Sequence, residues 1–492
     1  MKLVDHFSSP SLQTDFYQLT MAYGHWKQRK VEDQAVFHLY FRKLPFSGGY
    51  AVACGLDQVI QYIQNYQFSE EDICFLRELS DAKGKAFFCE EFLSFLRDLS
   101  LNLDIDAMPE GTVVFPYEPL LRVQGSIICC QLIETYILNV INFQTLIATK
   151  ASRMYVASRS DPILEFGLRR THGTEAGLWA SRATYIGGVS GTSHVAASRA
   201  WQIPLRGTHA HSWIMSFDHE LEAFRAYASS FPENCILLID TYDTLEGLEH
   251  ALVVAAELRE QGKKLLGVRI DSGDLAYFSQ QIRKRLDAES FHETQIVASG
   301  DLDEHIIHTL KEQNACISIW GVGTRLVTGD TQPSLGGVYK LSCYQKPQGK
   351  WKDKIKVSNS AQKINIPGIQ QIKRFIKDGK MYADMIYDIR DPQKANYTLI
   401  HPVDETQQKS IQTSNYHEIK GLLVPIFRRG KGVYQSPSLQ DIRRHHLEEL
   451  KCLDSSVKRL TFPHLYPVGL EKNLHEIRKK EILRRKYKGD QG

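Results

Sequence analysis

The 492-residue sequence lacks a CxxC pair, an uninterrupted apolar run of membrane-spanning length, an excess of charge of either sign, and any internal repeat or low-complexity segment. Its nine cysteines include one adjacent pair, Cys129 and Cys130, with the others far apart. That pattern excludes paired zinc-ligand spacing and reads as buried thiols rather than a disulfide scaffold. The most apolar stretch, 126–143, is interrupted by Gln131, Glu134 and Asn139, so no membrane span is expected. The opening residues show no basic segment followed by an apolar one, which leaves no visible secretory signal and makes a cytoplasmic location the expectation. With 60 Lys and Arg against 57 Asp and Glu, the formal charge of +3 is too balanced for a nucleic-acid coat. Local basic sites must hold any anion.

Hydrophobic residues at 42% and charged residues at 24% are ordinary for a soluble globular protein, and the length calls for two or more domains. From Ile163 onward, short apolar runs alternate with helical patterns: ILEFGL (163–168), IPLRGT (203–208), CILLID (235–240), LLGVRID (265–271), TQIVAS (294–299) and SIWGVG (318–323). Strands buried on both faces read this way. Between them lie helices such as 244–261, where Leu245, Leu248, Leu252, Ala255 and Leu258 keep three- and four-residue spacing before Gly262. The alternation predicts an α/β fold with a parallel sheet, closed into a barrel or left open and doubly wound. Residues 1–125 mix β-rich pieces with helices and are expected to form an N-terminal α+β domain. Residues 126–340 are assigned to the α/β domain. After Gly337, VYKLSCYQ and KRFIKDGKMYADMIYD are antiparallel strand candidates, and residues 341–492 complete the second domain and end in a basic helix, 472–488. That tail is either a solvated helix or an anion or partner contact.

The polar motifs THAH, DTYD, DSGD, SGDLD and GVGT all begin where a strand ends, the side that lines the active site in both architectures. Ser299, Gly300 and Asp301, then Gly321, Gly323 and Thr324, form consecutive glycine turns whose N–H groups can approach phosphate oxygens. In RIDSGD (269–274), Asp271 and Asp274 can hold Mg²⁺ or the two hydroxyls of a ribose, with Ser272 and Gly273 between them, while Arg269 can face phosphate or carboxylate. The alternative is a helix N-cap by Ser272 or Asp271. Arg169 and Arg170 are expected to leave a strand with side chains on opposite faces, one entering the mouth and one making a structural ion pair. A guanidinium suits a small carboxylate, so an organic acid is a candidate ligand. His209 and His211 flank Ala210 just after an apolar run, with no third metal ligand evident. A histidine there can instead accept a phosphoryl group.

With these residues in hand, the chain resembles the nicotinate phosphoribosyltransferase family over nearly its full length. The matching segments include TDFYQLTMAYGHW (14–26), FRKLPFSGGYAVACGL (41–56), EFGLRR, YIGG, GTHAHS, VRIDSGDL, GVGT and LLVPIFRRGKGVY. The resemblance implies transfer of phosphoribosyl from phosphoribosyl pyrophosphate to nicotinate, giving nicotinate mononucleotide and pyrophosphate, coupled to ATP hydrolysis, with Mg²⁺, as a salvage entry to NAD. It also implies an irregular, funnel-like α/β barrel, a second α+β domain built from both ends of the chain, and a homodimer. By motif position, Tyr17 resembles the aromatic that stacks on the pyridine ring. Arg170, Thr208 and Arg269 resemble groups around nicotinate and the donor, and the two glycine turns resemble the 5′-phosphate site. Asp271 and Asp274 would lie near the ribose and Mg²⁺ pyrophosphate. His211 occupies the phosphorylated position of the motif, which makes His209 incidental.

Ser193 stands where related nicotinamide-using enzymes carry an Asp, and a hydroxyl there does not repel a carboxylate. The chain departs from the family pattern at His194, in place of the usual Asn, and at Trp179. A nicotinamide-using relative and a non-catalytic nucleotide-binding barrel are the competing readings. The first is disfavoured by Ser193, the second by the intact His211 and DSGD motifs.

Overall fold

The computed structural model describes residues 9–487. The chain divides into two compact units, one comprising Met1–Thr145, Ser334–Arg459 and Pro463–Gly492, the other Leu146–Pro333 with Leu460–Phe462. It passes from the first to the second inside one continuous helix, Glu134–Ala157. Among the described residues, no helix is long and apolar enough to cross a membrane.

The second unit is built on a six-stranded, wholly parallel sheet. Its order is Gly191–Thr192, Ile163–Glu165, Ile319–Val322, Gln295–Ala298, Gly267–Ile270 and Ile236–Leu238. Leu237, Leu238, Val268, Ile270, Ile296, Val297, Trp320 and Val322 are all buried, as the near-continuous apolar runs require of strands covered on both faces. Trp320 is fully buried and donates its indole N–H to Asp161 Oδ2 at 3.1 Å, which satisfies the one polar atom it carries inward.

Three crossover helices start in the same way. Asp243 caps Thr244–Glu260, Asp274 caps Leu275–Ala288, and Asp303 caps Glu304–Glu312, each through a carboxylate that accepts N–H groups of the first turn. Each helix N-terminus is thus fixed a few residues beyond the carboxyl end of a strand. The run 203–208 departs from expectation: only Leu205 pairs, in an isolated parallel bridge to Thr192, because Pro204 has no N–H to give a ladder.

The first unit holds two larger sheets. A seven-stranded one runs Lys352–Asp353, Val338–Gln345, Gln34–Tyr40, Leu121–Ser126, Asp104–Ala107, Val424–Arg428 and Lys431–Gly432. Its ladders are antiparallel, and they interleave early and late segments of the sequence. A six-stranded one contains the hairpin Gln370–Lys377 and Lys380–Asp388, turned at Asp378 and Gly379 in left-handed conformations. The basic segment forms the helix Lys472–Tyr487, with Lys479, Lys480, Arg484, Arg485 and Lys486 exposed. Lys488 lies outside the described residues.

Candidate active site

The carboxyl ends of four adjacent strands in the second unit enclose a cavity of about 290 Å³. Arg169 and Arg170, Arg269 and Asp271, Ser299 to Asp301, and Gly321, Gly323 and Thr324 line it, with the Phe166 ring among them. Three guanidinium groups against two carboxylates leave one net positive charge on the lining. A cavity of about 760 Å³ opens in the first unit among Phe115, Tyr117, His401 and Tyr466, but it collects none of the strand-end motifs. The smaller cavity gathers residues of the DSGD, SGDLD and GVGT motifs.

Two glycines explain how the walls approach so closely. Gly300 has φ +114, and a Cβ there would lie 2.8 Å from the Asp271 carbonyl oxygen. A Cβ on Gly321 would lie 2.8 Å from the Phe166 ring. Only glycine fits either place.

Arg269 is the organising cation. Its Nε donates to Ser299 Oγ at 2.7 Å, Nη1 to Thr208 Oγ1 at 3.1 Å, and Nη2 to Asp271 Oδ1 at 2.9 Å, while the guanidinium lies over the Phe166 ring. Burial alone would raise the Asp271 pKa, but the Ser299 hydroxyl and the Arg269 charge outweigh it and hold the carboxyl below its ordinary value. Arg269 therefore fixes three loops, whereas Arg170 makes no side-chain hydrogen bond or ion pair among the described residues.

The DSGD loop is pinned from below. Asp240 Oδ2 accepts both the Asp271 N–H and the Ser272 hydroxyl at 2.7 Å, and Asp240 Oδ1 is buried with no donor. Gly273 has φ +80, and a Cβ would press into the Phe278 ring at 2.7 Å. The helix cap expected of Ser272 or Asp271 is made by Asp274, whose Oδ1 accepts the Tyr277 N–H at 3.0 Å. Among the described residues, Asp271 and Asp274 each retain a second oxygen without a hydrogen bond. Among the described residues, no group of three or more His, Cys, Asp or Glu converges as a metal cage.

His211 opens the short helix His211–Ile214, and its Nδ1 lies 3.1 Å from Thr241 Oγ1, three residues beyond the strand Ile236–Leu238. Ser193 follows the edge strand, with its N–H donating to the Glu165 carbonyl at 2.9 Å. Tyr17 lies in the first unit, on the helix Phe16–Lys27, and is 50% exposed.

Two expectations are corrected. Arg169 and Arg170 do not leave a strand on opposite faces: the strand ends at Glu165, and Leu168–Arg170 is a turn of 3-10 helix, so both arginines line the cavity. His209 is not incidental. It is 9% exposed, packs edge-on against Tyr227, and accepts the Leu238 N–H on Nε2 at 3.3 Å. Burial pushes its pKa down to about 4, outweighing the upward pull of its contact with the Ala210 carbonyl and aided to a smaller extent by the Arg269 charge, so the ring stays a neutral acceptor.

Family models match three consecutive stretches of the chain: the nicotinate phosphoribosyltransferase N-terminal domain over residues 12–142, the family itself over 162–357, and its C-terminal domain over 369–478. The nicotinate phosphoribosyltransferase of Bacillus subtilis is 39% identical over 483 residues, covering 96% of each chain. The chain belongs to the nicotinate phosphoribosyltransferase family. Another member, from Dictyostelium discoideum, is 36% identical over 97% of this chain and 88% of its own length. The crystal structure of human nicotinic acid phosphoribosyltransferase superposes with a TM-score of 0.81 at 28% identity, covering 95% of this chain and 99% of that one.

Within this family fold, the residues that sequence reasoning left without a role are Phe166, Asp240, Thr241 and Glu165. Asp240 and Thr241 had a signal, since they open the DTYD motif at a strand end. Glu165 and Phe166 open the EFGLRR segment, but inside an apolar run their residue types pointed to no role.

Proposed function

We propose that this chain transfers phosphoribosyl from phosphoribosyl pyrophosphate to nicotinate, releasing nicotinate mononucleotide and pyrophosphate, with ATP hydrolysis coupled through His211. The observation that carries the reading is the arginine-lined cavity at the strand ends, with glycine turns on one side and the DSGD loop on the other. Bond breaking at C1′ develops cationic character on the sugar while pyrophosphate leaves, so catalysis is mainly positioning and charge neutralisation. The turns at 299–301 and 321–324 take the 5′-phosphate. Asp271 faces the ribose.

Mg²⁺ arrives with pyrophosphate as part of the substrate. A cation that brings its own phosphate ligands needs only one or two protein carboxylates, and the free oxygens of Asp271 and Asp274 suit that role. Arg170, with its unused donors, and Ser193 are assigned to the nicotinate carboxylate. Thr208 is held by Arg269 beside them. His211 accepts phosphate from ATP on Nε2, the nitrogen not held by Thr241, and the added charge biases loop closure and donor affinity. We further assign the parallel sheet to a funnel-like barrel, a reading supported by the Thr192–Leu205 bridge and by His209 accepting the Leu238 N–H. The working form is a homodimer in the cytoplasm.

The test incubates wild type and His211→Ala with labelled ATP, nicotinate and phosphoribosyl pyrophosphate. Wild type forms nicotinate mononucleotide and a phosphohistidine label. The variant loses the label and the ATP dependence while keeping slow transfer. An unchanged label in the variant contradicts the assignment.

A further inference from the structure

Glu165 ends the strand Ile163–Glu165 and is completely buried, yet among the described residues no Lys or Arg pairs with it. Its oxygens accept three donors from three elements instead. These are the N–H of Gly167 in its own turn, the hydroxyl of Ser181 at 2.8 Å on the helix Thr174–Ile186, and the hydroxyl of Thr192 at 2.5 Å on the edge strand. With both hydroxyl protons directed at the carboxylate, the hydroxyl oxygens keep lone pairs for His194. Ser181 Oγ lies 3.3 Å from His194 Nδ1, and Thr192 Oγ1 accepts the His194 N–H at 2.9 Å. His194, 7% exposed, is thereby built into the chain of hydrogen bonds.

The turn that Glu165 anchors has no slack. A Cβ on Gly167 would lie 2.5 and 2.6 Å from the Val327 methyls and 3.1 Å from Glu165 Oε1. From this turn Arg169 and Arg170 reach the cavity, and from the Thr192–His194 segment comes Ser193.

We infer that Glu165 is a positioning residue for recognition of the acid substrate: it sets the arginine turn at a fixed distance from Ser193, and His194 completes the connection through Ser181. A planar carboxylate must meet a guanidinium and a hydroxyl together, so a shift of one loop against the other weakens acid binding before it touches the chemistry at C1′. The inference rests on nicotinate being the acceptor.

The test is steady-state kinetics of the full-length protein with nicotinate and with phosphoribosyl pyrophosphate varied in turn, alongside thermal unfolding. In Glu165→Gln, an isostere that turns one acceptor into a donor, the nicotinate KM rises about tenfold or more while kcat and the donor KM change by less than about threefold. His194→Asn, whose amide can donate to Ser181, stays nearer wild type in nicotinate KM than His194→Leu does. Thr192→Val and Ser181→Ala each remove one donor and reproduce the KM effect in part, which keeps the test open if Glu165→Gln does not fold. An unchanged nicotinate KM in folded variants, or equal loss in both substrates' KM, overturns the inference. Wild type that makes no product from nicotinate overturns the acceptor assignment itself, a different result.

Discussion

At the scale of the residue, Arg269 differs from Arg170 in what its donors meet. It bridges Ser299, Thr208 and Asp271, and a lysine offers no fork that reaches all three. Arg269→Lys is therefore expected to lower kcat/KM by about a hundredfold, through the loss of charged hydrogen bonds worth roughly 2–3 kcal/mol. A loss below about fivefold in steady-state assays contradicts the bridging role.

His209 makes a second prediction. Its pKa of about 4 lies below the ordinary 6.5, so the unfolded chain binds a proton that the folded chain excludes. The stability this contributes is complete above pH 6.5 and is lost as pH falls toward 4. His446, buried and likewise pushed down to about 4, acts in the same direction. Urea unfolding at two pH values, near neutrality and near 5, should show wild type losing about 1–2 kcal/mol more than His209→Gln. Equal losses would show that the imidazole does not carry the effect. The sequence alone could not reveal this, because a His two positions from His211 looks dispensable until its ring is found accepting the Leu238 N–H.

Elements were more legible than their ends. The apolar runs around Leu237, Val268, Val297 and Trp320 announced strands, since β-branched and aromatic residues without polar alternation fit only a sheet covered on both faces. The turn after Glu165 was not legible, because Phe166 and Leu168 extend the apolar pattern past the point where Gly167 bends the chain. The cap at Asp274 rather than Asp271 was equally hidden, since both precede helical residues by plausible spacing and only the positive φ of Gly273 decides between them.

One pair of helix starts has a functional consequence. Asp303 caps Glu304–Glu312 through Oδ1, accepting the Ile306 N–H, while Oδ2 pairs with Arg325 in the first turn of Thr324–Val327. The glycine turns at 299–301 and 321–324 are thereby tied at their exits. Asp303→Asn keeps a good cap and removes the charge partner, so its melting temperature should stay near wild type while the KM for phosphoribosyl pyrophosphate rises severalfold. Asp303→Ala should lower the melting temperature and raise that KM, with about 1 kcal/mol of stability lost with the cap. A donor KM unchanged in Asp303→Asn would reduce the pair to a stability role.

For the whole molecule, the strand Gln34–Tyr40 lies between Leu121–Ser126 and Val338–Gln345, so the first unit closes only when late residues return. A chain truncated after Pro333 leaves the Gln34–Tyr40 ladder open along one side, and circular dichroism should show it without a cooperative thermal transition. The passage between the units at 145/146 falls inside a helix where no glycine, proline or charge run marks it. Composition carries no information there. The strand-end motifs, in contrast, pointed to one mouth because parallel sheets with helical crossovers gather their carboxyl ends on one side.

The central claim is that this mouth in the second unit binds the sugar phosphate and the aromatic acid together. The most direct measurement is a crystal structure with nicotinate mononucleotide bound. The phosphate should rest against the turns at Gly300 and Gly323, with the nicotinate carboxylate beside Arg170 and Ser193. A mononucleotide bound in the aromatic cavity around Phe115 and Tyr466, or a phosphate turned away from both glycine turns, would contradict it.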